Sequence, residues 1–223
     1  MSDKMTGITI TSLRNEAEAL TAAMPAGQPL EALAKALITL AAAVSVTALD
    51  RSAIDAAIGQ ALDCGATIAQ VQEIIALSSG LGVHSLMVSS ATVLAEAARR
   101  GLADPATPLD RQQQSLWDEH VGQDSFWESF SEEMPGFLEA MLRLSPDIFV
   151  GFFGYCAIPW RSGTVRAWIK ELAALACDAA PSHRFRPGFR VHLKNAIKLG
   201  VGRTAIFQAL DIAAAAPEHR GTD

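Results

Sequence analysis

The sequence lacks a cysteine pair and an excess of positive charge, and each absence excludes a class of function. Its three cysteines, Cys64, Cys156 and Cys177, lie far apart and form no C-x-x-C, which argues against a zinc knuckle and against a dithiol redox site. The net charge of −6 argues against nucleic acid as the main partner, because phosphate binding needs a basic surface.

Long apolar runs are also lacking. The opening residues, MSDKMTGITI, contain no apolar core of the kind found in signal peptides. The longest weakly polar run, Ala36 to Leu49, is too short to span a bilayer and contains Thr39, Ser45 and Thr47. We therefore expect a soluble cytoplasmic protein that binds neither nucleic acid nor membrane.

Strand patterns are missing as well, because no segment alternates convincingly between apolar and polar residues. Apolar residues instead recur at spacings of three and four, which predicts an all-α protein. The predicted helices of the first half are Ser12–Met24 with Ser12 as its cap, Leu30–Val46, Ser52–Cys64 ending at Gly65, a helix opened by a capping box of Thr67 and Gln70, and Ser85–Arg100.

Aromatic residues are scarce except in the middle of the chain. All four tryptophans fall between 117 and 168, and six of the nine phenylalanines fall between 126 and 153. Pro135 and Pro146 are typical of the first turns of short helices. This composition predicts a packed, aromatic-rich helical connector over 105–163 that ends in the turn-rich AIPWRSG.

The sequence contains an internal similarity at a spacing of 135 residues. Lys35 aligns with Lys170, Gly65 with Gly200 and His84 with His219 without gaps. We infer two tandem helical repeats related by a pseudo-twofold axis. The predicted organisation is an extension over 1–29, a first repeat over 30–104, the connector over 105–163 and a second repeat over 164–223.

Ionisable residues distinguish the second repeat from the first. The stretch Trp168–Gly200 is predicted to form two helices joined by a polar loop, and it contains Glu171, His183 and His192. The first repeat has alanine at the three equivalent positions, Ala36, Ala48 and Ala57. Since a purely structural role would favour polar residues in both repeats, the second repeat is the predicted functional site and the first its scaffold.

Several motifs resemble those of the carboxymuconolactone decarboxylase family, which includes the alkylhydroperoxidase (AhpD-like) proteins. They are K-E-L-x-x-L-A at 170–176, H-x-x-x-A-x-x-x-G at 192–200, A-x-x-x-A-x-x-x-G-A-T at 57–67 and L-G-V-H at 81–84. The connector sequence SPDIFVGFFGYCAIPWRSG is similar to that of the two-repeat branch. The resemblance covers roughly residues 30–220 and is strongest at 145–200.

The resemblance implies an all-α AhpD-like fold in obligate homo-oligomers, with trimers expected for two-repeat members. The hydroperoxidase branch carries C-x-x-C before the family histidine, and the corresponding positions here are Phe185 and Gly188. The chain therefore resembles the decarboxylase branch, which needs neither a metal nor an organic cofactor. The implied function is cofactor-independent decarboxylation or proton transfer on a small carboxylated, enolisable ring compound, in aromatic degradation.

The same resemblance implies roles for the three ionisable residues. His192 matches the family histidine and is the candidate general acid/base, with Glu171 orienting it or acting as the base. His183 is a candidate second proton donor or ligand of the substrate carboxylate. The alternatives are a hydrogen-bonded core histidine for His192, loop capping for His183, and, for Glu171, an ion pair with Lys170, Lys194 or Arg190. No H-x-x-x-H or E-x-x-H spacing supports a metal site.

Candidate substrate-binding residues flank this stretch. Arg190, Arg186 and Arg161 could bind a carboxylic acid or lactone through bidentate hydrogen bonds, and Trp160 could line a pocket; the alternatives are solvated or interface arginines and ordinary packing. Two other functions stay open. One is a single-thiol redox protein using Cys177, and the other is a non-enzymatic oligomeric binding protein with a decayed site.

Overall fold

The computed structural model describes residues 7–220, which form α-helices and contain no strand. The helices are α1 (Ile10–Thr21), α2 (Ala32–Val44), α3 (Arg51–Asp63), α4 (Ile68–Ser79), α5 (His84–Arg99), α6 (Arg111–His120), α7 (Ser125–Glu133), α8 (Phe137–Leu144), α9 (Pro146–Arg161), α10 (Ala167–Ala179), α11 (Arg186–Lys198) and α12 (Arg203–Ala214). A 3₁₀ turn, Gly80–Val83, separates α4 from α5. The predicted all-α class is confirmed.

Capping side chains set the helix starts. Thr67 and Gln70 form the predicted capping box of α4, with hydrogen bonds of 2.9 and 3.2 Å. The prediction that Ser12 caps the first helix is wrong. Thr9 takes that position in an extended conformation, and Ser12 is the third helical residue, which bonds back to it. Gly65 has a φ of +88° after α3, which confirms its predicted position.

The two prolines predicted to lie in first helical turns, Pro135 and Pro146, differ in their positions. Pro146 begins α9 as expected. Pro135 lies in the turn before α8, because Gly136 with a φ of +74° takes the N-cap position. The predicted turn at AIPW is helical, since Pro159 lies inside α9. Proline fixes φ near the helical value, so the helix loses one hydrogen bond there without ending.

The described chain forms two compact units. One contains the described residues up to Leu81 together with those from Ser162 onwards, and the other is Gly82–Arg161. The predicted division into an extension, two repeats and a connector stays a prediction.

Helix α10 lies at the centre of the first unit. Every residue from Ile169 to Ala179 is buried, including the ionisable residues Lys170, Glu171 and Asp178. It packs against α2, α4, α11 and α12, and α2 in turn packs against α3, α4 and α12. Leucine, isoleucine and alanine side chains fill the space between these helices, among them Leu37, Leu40, Leu172 and Leu175.

The helices of this unit are spaced as the predicted repeat requires. The bounds of α10, α11 and α12 each lie 135 residues after those of α2, α3 and α4, for example 167 − 32 = 135. Two hydrogen bonds show the same spacing: Leu30 N donates to Gln208 Oε1, and Val165 N donates to Glu73 Oε1. These observations support the repeat, but the pseudo-twofold relation stays a prediction.

The second unit is held together by aromatic packing. Phe153 contacts Trp127 edge to face with ring centroids 5.1 Å apart, and His120 stacks on Phe153 at 4.9 Å. Phe137 and Phe152 form a further edge-to-face pair at 5.6 Å. Such geometries stabilise a core beyond the area they bury, and they agree with the predicted packed aromatic segment.

One stretch of the described chain, Ile68–Arg99, passes the length and composition test for a membrane-spanning helix. A single such stretch is weak evidence for a span, because core helices of soluble proteins pass the same test.

Candidate functional site

The candidate site lies between α10 and α11, in the first unit. The two helices are joined by the loop 180–185, whose amides bond to the end of α10: Phe185 N donates to the Asp178 carbonyl at 2.8 Å, and His183 N to the Ala180 carbonyl at 2.9 Å. Residues seven apart, such as 171 and 178, lie on the same side of a helix. The hairpin therefore directs side chains of α10 toward α11.

Glu171 and His192 are in direct contact across this hairpin. Glu171 Oε2 lies 2.7 Å from His192 Nδ1, and Glu171 Oε1 accepts a hydrogen bond from Asn195 Nδ2 at 3.2 Å. A carboxylate can only accept, so the proton of this pair resides on Nδ1. The arrangement leaves Nε2 as the nitrogen available for proton transfer, as in other carboxylate-oriented histidines.

The surroundings of His192 favour its protonated form. Burial lowers the pKa of His192, but the hydrogen bond and the charge of Glu171, together with the charge of Asp178, raise it, and the net pKa lies above its ordinary value. The side chain is 17% exposed. His192 is therefore a histidine whose surroundings favour the protonated form and whose side chain is partly exposed to solvent.

The predicted alternative partner of Glu171, Lys170, points elsewhere. Its Nζ lies 3.0 Å from Glu73 Oε1 and 2.7 Å from the Ser162 carbonyl. Lys170 and Glu73 form a buried ion pair within the first unit, which leaves Glu171 free of that lysine.

Asp178 is a member of this cluster that the sequence analysis missed. It is completely buried, with Oδ2 at 3.9 Å from His192 Nε2 and Oδ1 at 3.7 Å from His183 Nε2. Burial raises the pKa of Asp178 to about 8, although the charge of His192 acts in the opposite direction. The available signal was an acid in an otherwise apolar run, two turns beyond Glu171.

Asp178 also brings His183 into the cluster. The His183 side chain is 13% exposed, and burial lowers its pKa. The predicted residues Glu171, His192 and His183 thus lie in a row, with Asp178 between the two histidines. Their catalytic roles stay predictions, but the arrangement can hold and pass protons.

The predicted substrate-binding residues belong to two helices, α11 and α9. Arg186 Nε lies 2.9 Å from Glu16 Oε2, and Arg190 is paired with the other oxygen of the same carboxylate. Glu16 belongs to α1 and had no role in the sequence analysis. Trp160 and Arg161 end α9 in the second unit. The role of all four in substrate binding stays a prediction.

Two of the three cysteines, Cys156 and Cys177, are in surroundings that suppress thiolate formation. Cys177 is 1% exposed, and burial, followed by the charge of Asp178, raises its pKa to about 12, against a weak contact with Ser78. Burial raises the pKa of Cys156 to about 11. Since the thiolate is the reactive form, neither environment favours thiol chemistry.

Comparison with known proteins gives one informative match. No family model and no curated protein matches the chain. Among solved structures, it is similar to the crystal structure of a protein from Burkholderia xenovorans LB400 named as a gamma-carboxymuconolactone decarboxylase subunit. The TM-score is 0.72 at 27% sequence identity, and the match covers 92% of this chain and 78% of that one.

Proposed function

Because this chain is related to the gamma-carboxymuconolactone decarboxylase family, we propose that it is a cofactor-independent enzyme that decarboxylates, or transfers a proton to, a small carboxylated ring compound. The observation that carries the proposal is the 2.7 Å contact between Glu171 and His192. This contact supports the proposal, because it orients the imidazole of His192, the residue that the resemblance matches to the family histidine. The predicted resemblance to this family is confirmed; the activity is the proposal.

The proposed reaction needs a proton donor positioned near carbon. The bond from the ring carbon to the carboxylate breaks, carbon dioxide leaves, and the electron pair is delocalised into the ring as an enolate. The ring carbon then takes one proton, so the balance is one carboxylate and one proton consumed for each carbon dioxide released. An imidazolium with a raised pKa suits this step, because it is charged before proton transfer and neutral after it.

Within this proposal, Glu171 keeps the proton on Nδ1 of His192 and stabilises the imidazolium, and His192 Nε2 delivers the proton. His183 is the proposed second donor or carboxylate ligand. Arg186 and Arg190 already pair with Glu16, so any role for them in binding the substrate carboxylate would have to compete with that pair.

The test uses gamma-carboxymuconolactone and related carboxylated lactones, with carbon dioxide release and NMR of the product as readouts. We expect turnover by the wild-type protein and a loss of about 10²–10⁴-fold in His192→Gln. His219→Gln is the matched control, because His219 is exposed and outside the helices. Full activity in His192→Gln would contradict the assignment.

The two other candidate functions have distinct signatures. A single-thiol redox protein would reduce hydroperoxides in a way that Cys177→Ser abolishes, which the buried, protonated state of Cys177 does not favour. A binding protein with a decayed site would be stabilised against heat by such lactones without turning them over.

We also propose that the protein acts as a cytoplasmic homo-oligomer, with a trimer expected from the family resemblance. The acidic composition and the scarcity of long apolar runs support this proposal. Light scattering coupled to size-exclusion chromatography measures the assembly, and a monomer at micromolar concentration would contradict it.

A further inference from the structure

The carboxylate of Asp178 is held at a fixed place between two histidines. Its two oxygens face different partners, with Oδ2 3.9 Å from His192 Nε2 and Oδ1 3.7 Å from His183 Nε2. Within this unit, the titratable groups that face it are His183 from the loop, His192 from α11 and the thiol of Cys177 on its own helix. Asp178 thus connects two histidines that do not share another carboxylate.

Gly188 provides the space that this carboxylate occupies. A Cβ atom on Gly188 would lie 2.3 Å from Asp178 Oδ2 and 2.8 Å from Phe185 Cδ1. Gly188 is one turn before His192, so both lie on the face of α11 that packs on α10. The glycine and the carboxylate are therefore complementary in shape, and any side chain at 188 would displace Asp178.

The equivalent positions of α2 and α3 show that the fold does not need this carboxylate. At the spacing of 135 residues, Asp178 and Gly188 correspond to Ala43 and Ala53. Ala43 is buried at 3% exposure. Together with Ala36, Ala48 and Ala57, alanine stands at every position where the second half carries Glu171, Asp178, His183 or His192. A buried acid in one half only indicates a role beyond packing.

We propose that Asp178 is a positioning residue that couples His192 and His183, so that Glu171, His192, Asp178 and His183 form one chain of proton-sharing groups. What this chain does in turnover rests on the proposed function: it would return a proton to His192 after each protonation of the ring carbon. The 3.7 and 3.9 Å separations exceed hydrogen-bond length. At these separations each pair interacts through its charges rather than through a hydrogen bond.

The burial of Asp178 agrees with this role. Its raised pKa of about 8 means that the carboxyl group holds a proton at neutral pH, when an ordinary aspartate would have lost it. Asp178 thus lies between one histidine with a raised pKa, His192, and one with a lowered pKa, His183. His183 and His192 are 13% and 17% exposed, so a proton from solvent can enter at either histidine.

The experiment measures the titration of both histidines in the ligand-free protein by NMR with isotope-labelled histidine, assigned with His192→Gln and His183→Gln. In Asp178→Asn we expect the signals of His192 and His183 to lose the inflection near pH 8 that reports the ionisation of Asp178 between them. Asp63→Asn is the control, since it removes an exposed carboxylate from the same unit. Histidine titration curves in Asp178→Asn that equal those of the control, with the inflection near pH 8 retained, would overturn the proposal.

A second variant separates coupling from packing. Asp178→Ala reproduces the alanine of the first half, Ala43, and keeps Gly188, so we expect it to fold and to change the histidine titrations in the same way as Asp178→Asn. If this variant does not fold, the Asp178 carboxyl group is a packing requirement and the proposal is overturned.

Turnover gives an independent readout. With gamma-carboxymuconolactone as the probe, we expect Asp178→Asn to lower kcat by about 10²-fold and to change the shape of the kcat–pH profile, with little effect on KM. A uniform loss of kcat with an unchanged pH profile would contradict coupling. If the wild-type protein does not turn over this lactone, the proposed function fails on that substrate, while the histidine titrations still decide whether Asp178 couples them.

Discussion

The buried ion pair between Lys170 and Glu73 makes a sharp prediction about stability. The two side chains are 2% and 6% exposed, with Lys170 Nζ 3.0 Å from Glu73 Oε1. Ser162 Oγ donates to the other carboxylate oxygen of Glu73, Oε2, at 2.5 Å, and Val165 N donates to Oε1 at 3.4 Å. Every charge of the pair is thus satisfied inside the protein.

Replacing Lys170 with methionine would leave Glu73 buried without its cation. Breaking a buried pair in this way costs about 3–5 kcal/mol, and at ~2–4 °C per kcal/mol for a chain of this size the melting temperature should fall by roughly 6–20 °C. The assay is thermal and urea unfolding followed by circular dichroism at pH 7. Glu73→Leu in the Lys170→Met background should recover part of the loss, because an uncharged pair needs no compensation.

Lys35 is the matched control. It occupies the equivalent position at the spacing of 135 residues but is exposed on α2, so Lys35→Met should change stability by about 0.5 kcal/mol or less. If Lys170→Met is no more destabilising than Lys35→Met, the argument from burial is wrong.

The Lys170–Glu73 pair also predicts how the stability of the folded protein depends on pH. Burial raises the pKa of Glu73, but hydrogen bonds from Ser162 and Lys170, the charge of Lys170 and the Val165 amide lower it, and the net pKa lies below 4.5. A lowered folded-state pKa stabilises the fold at pH values above the unfolded pKa, and this contribution is lost as the pH falls through the folded value. In Lys170→Met, destabilisation should therefore shrink under acid conditions, where Glu73 can take up a proton.

Three further predictions concern the site and its packing. Iodoacetamide at pH 8 should leave Cys177 unlabelled in the folded protein and label it after unfolding, as mass spectrometry would show; labelling of the folded state would refute its burial. Gly59→Ala lies in an exposed helical position with open space around it, so it should stabilise the folded protein by about 0.5–1 kcal/mol. Gly188→Ala should destabilise the folded protein, because the new methyl group would meet Asp178. Melting curves that show the reverse order would be inconsistent with the close contact between positions 188 and 178. The pKa of Asp178 is raised from 3.8 to about 8 in the folded protein. The wild-type protein should therefore lose stability relative to Asp178→Asn as the pH rises from about 4 to about 8, with no further change above about pH 8. A difference in unfolding free energy between the two proteins that stays constant across this pH range would count against the raised pKa.

The local pattern of the sequence was sufficient to predict the helices of the first half and the two helices of the central hairpin. Helix formation depends on spacings of three and four residues and on capping side chains such as Thr67 and Gln70, all of which are close in sequence. Glu171 and His192 were also predictable as neighbours, because one short loop joins their two helices. The first helix cap and the turn at Pro159 were mispredicted, since Thr9 competes with Ser12 and proline does not always end a helix.

The sequence alone therefore determined the all-α class, the hairpin over 168–200 and the presence of an acid and two histidines within it. Only the tertiary structure decided which charged groups come into contact. Glu73 pairs with Lys170, which is 97 residues away in the sequence, and Glu16 pairs with Arg186 and Arg190. The lack of a side chain at Gly188 leaves the space that the buried Asp178 carboxyl group occupies. The physical reason is that helical periodicity is a local property. The pairing and burial of ionisable groups depend instead on how whole helices pack, which no short pattern encodes.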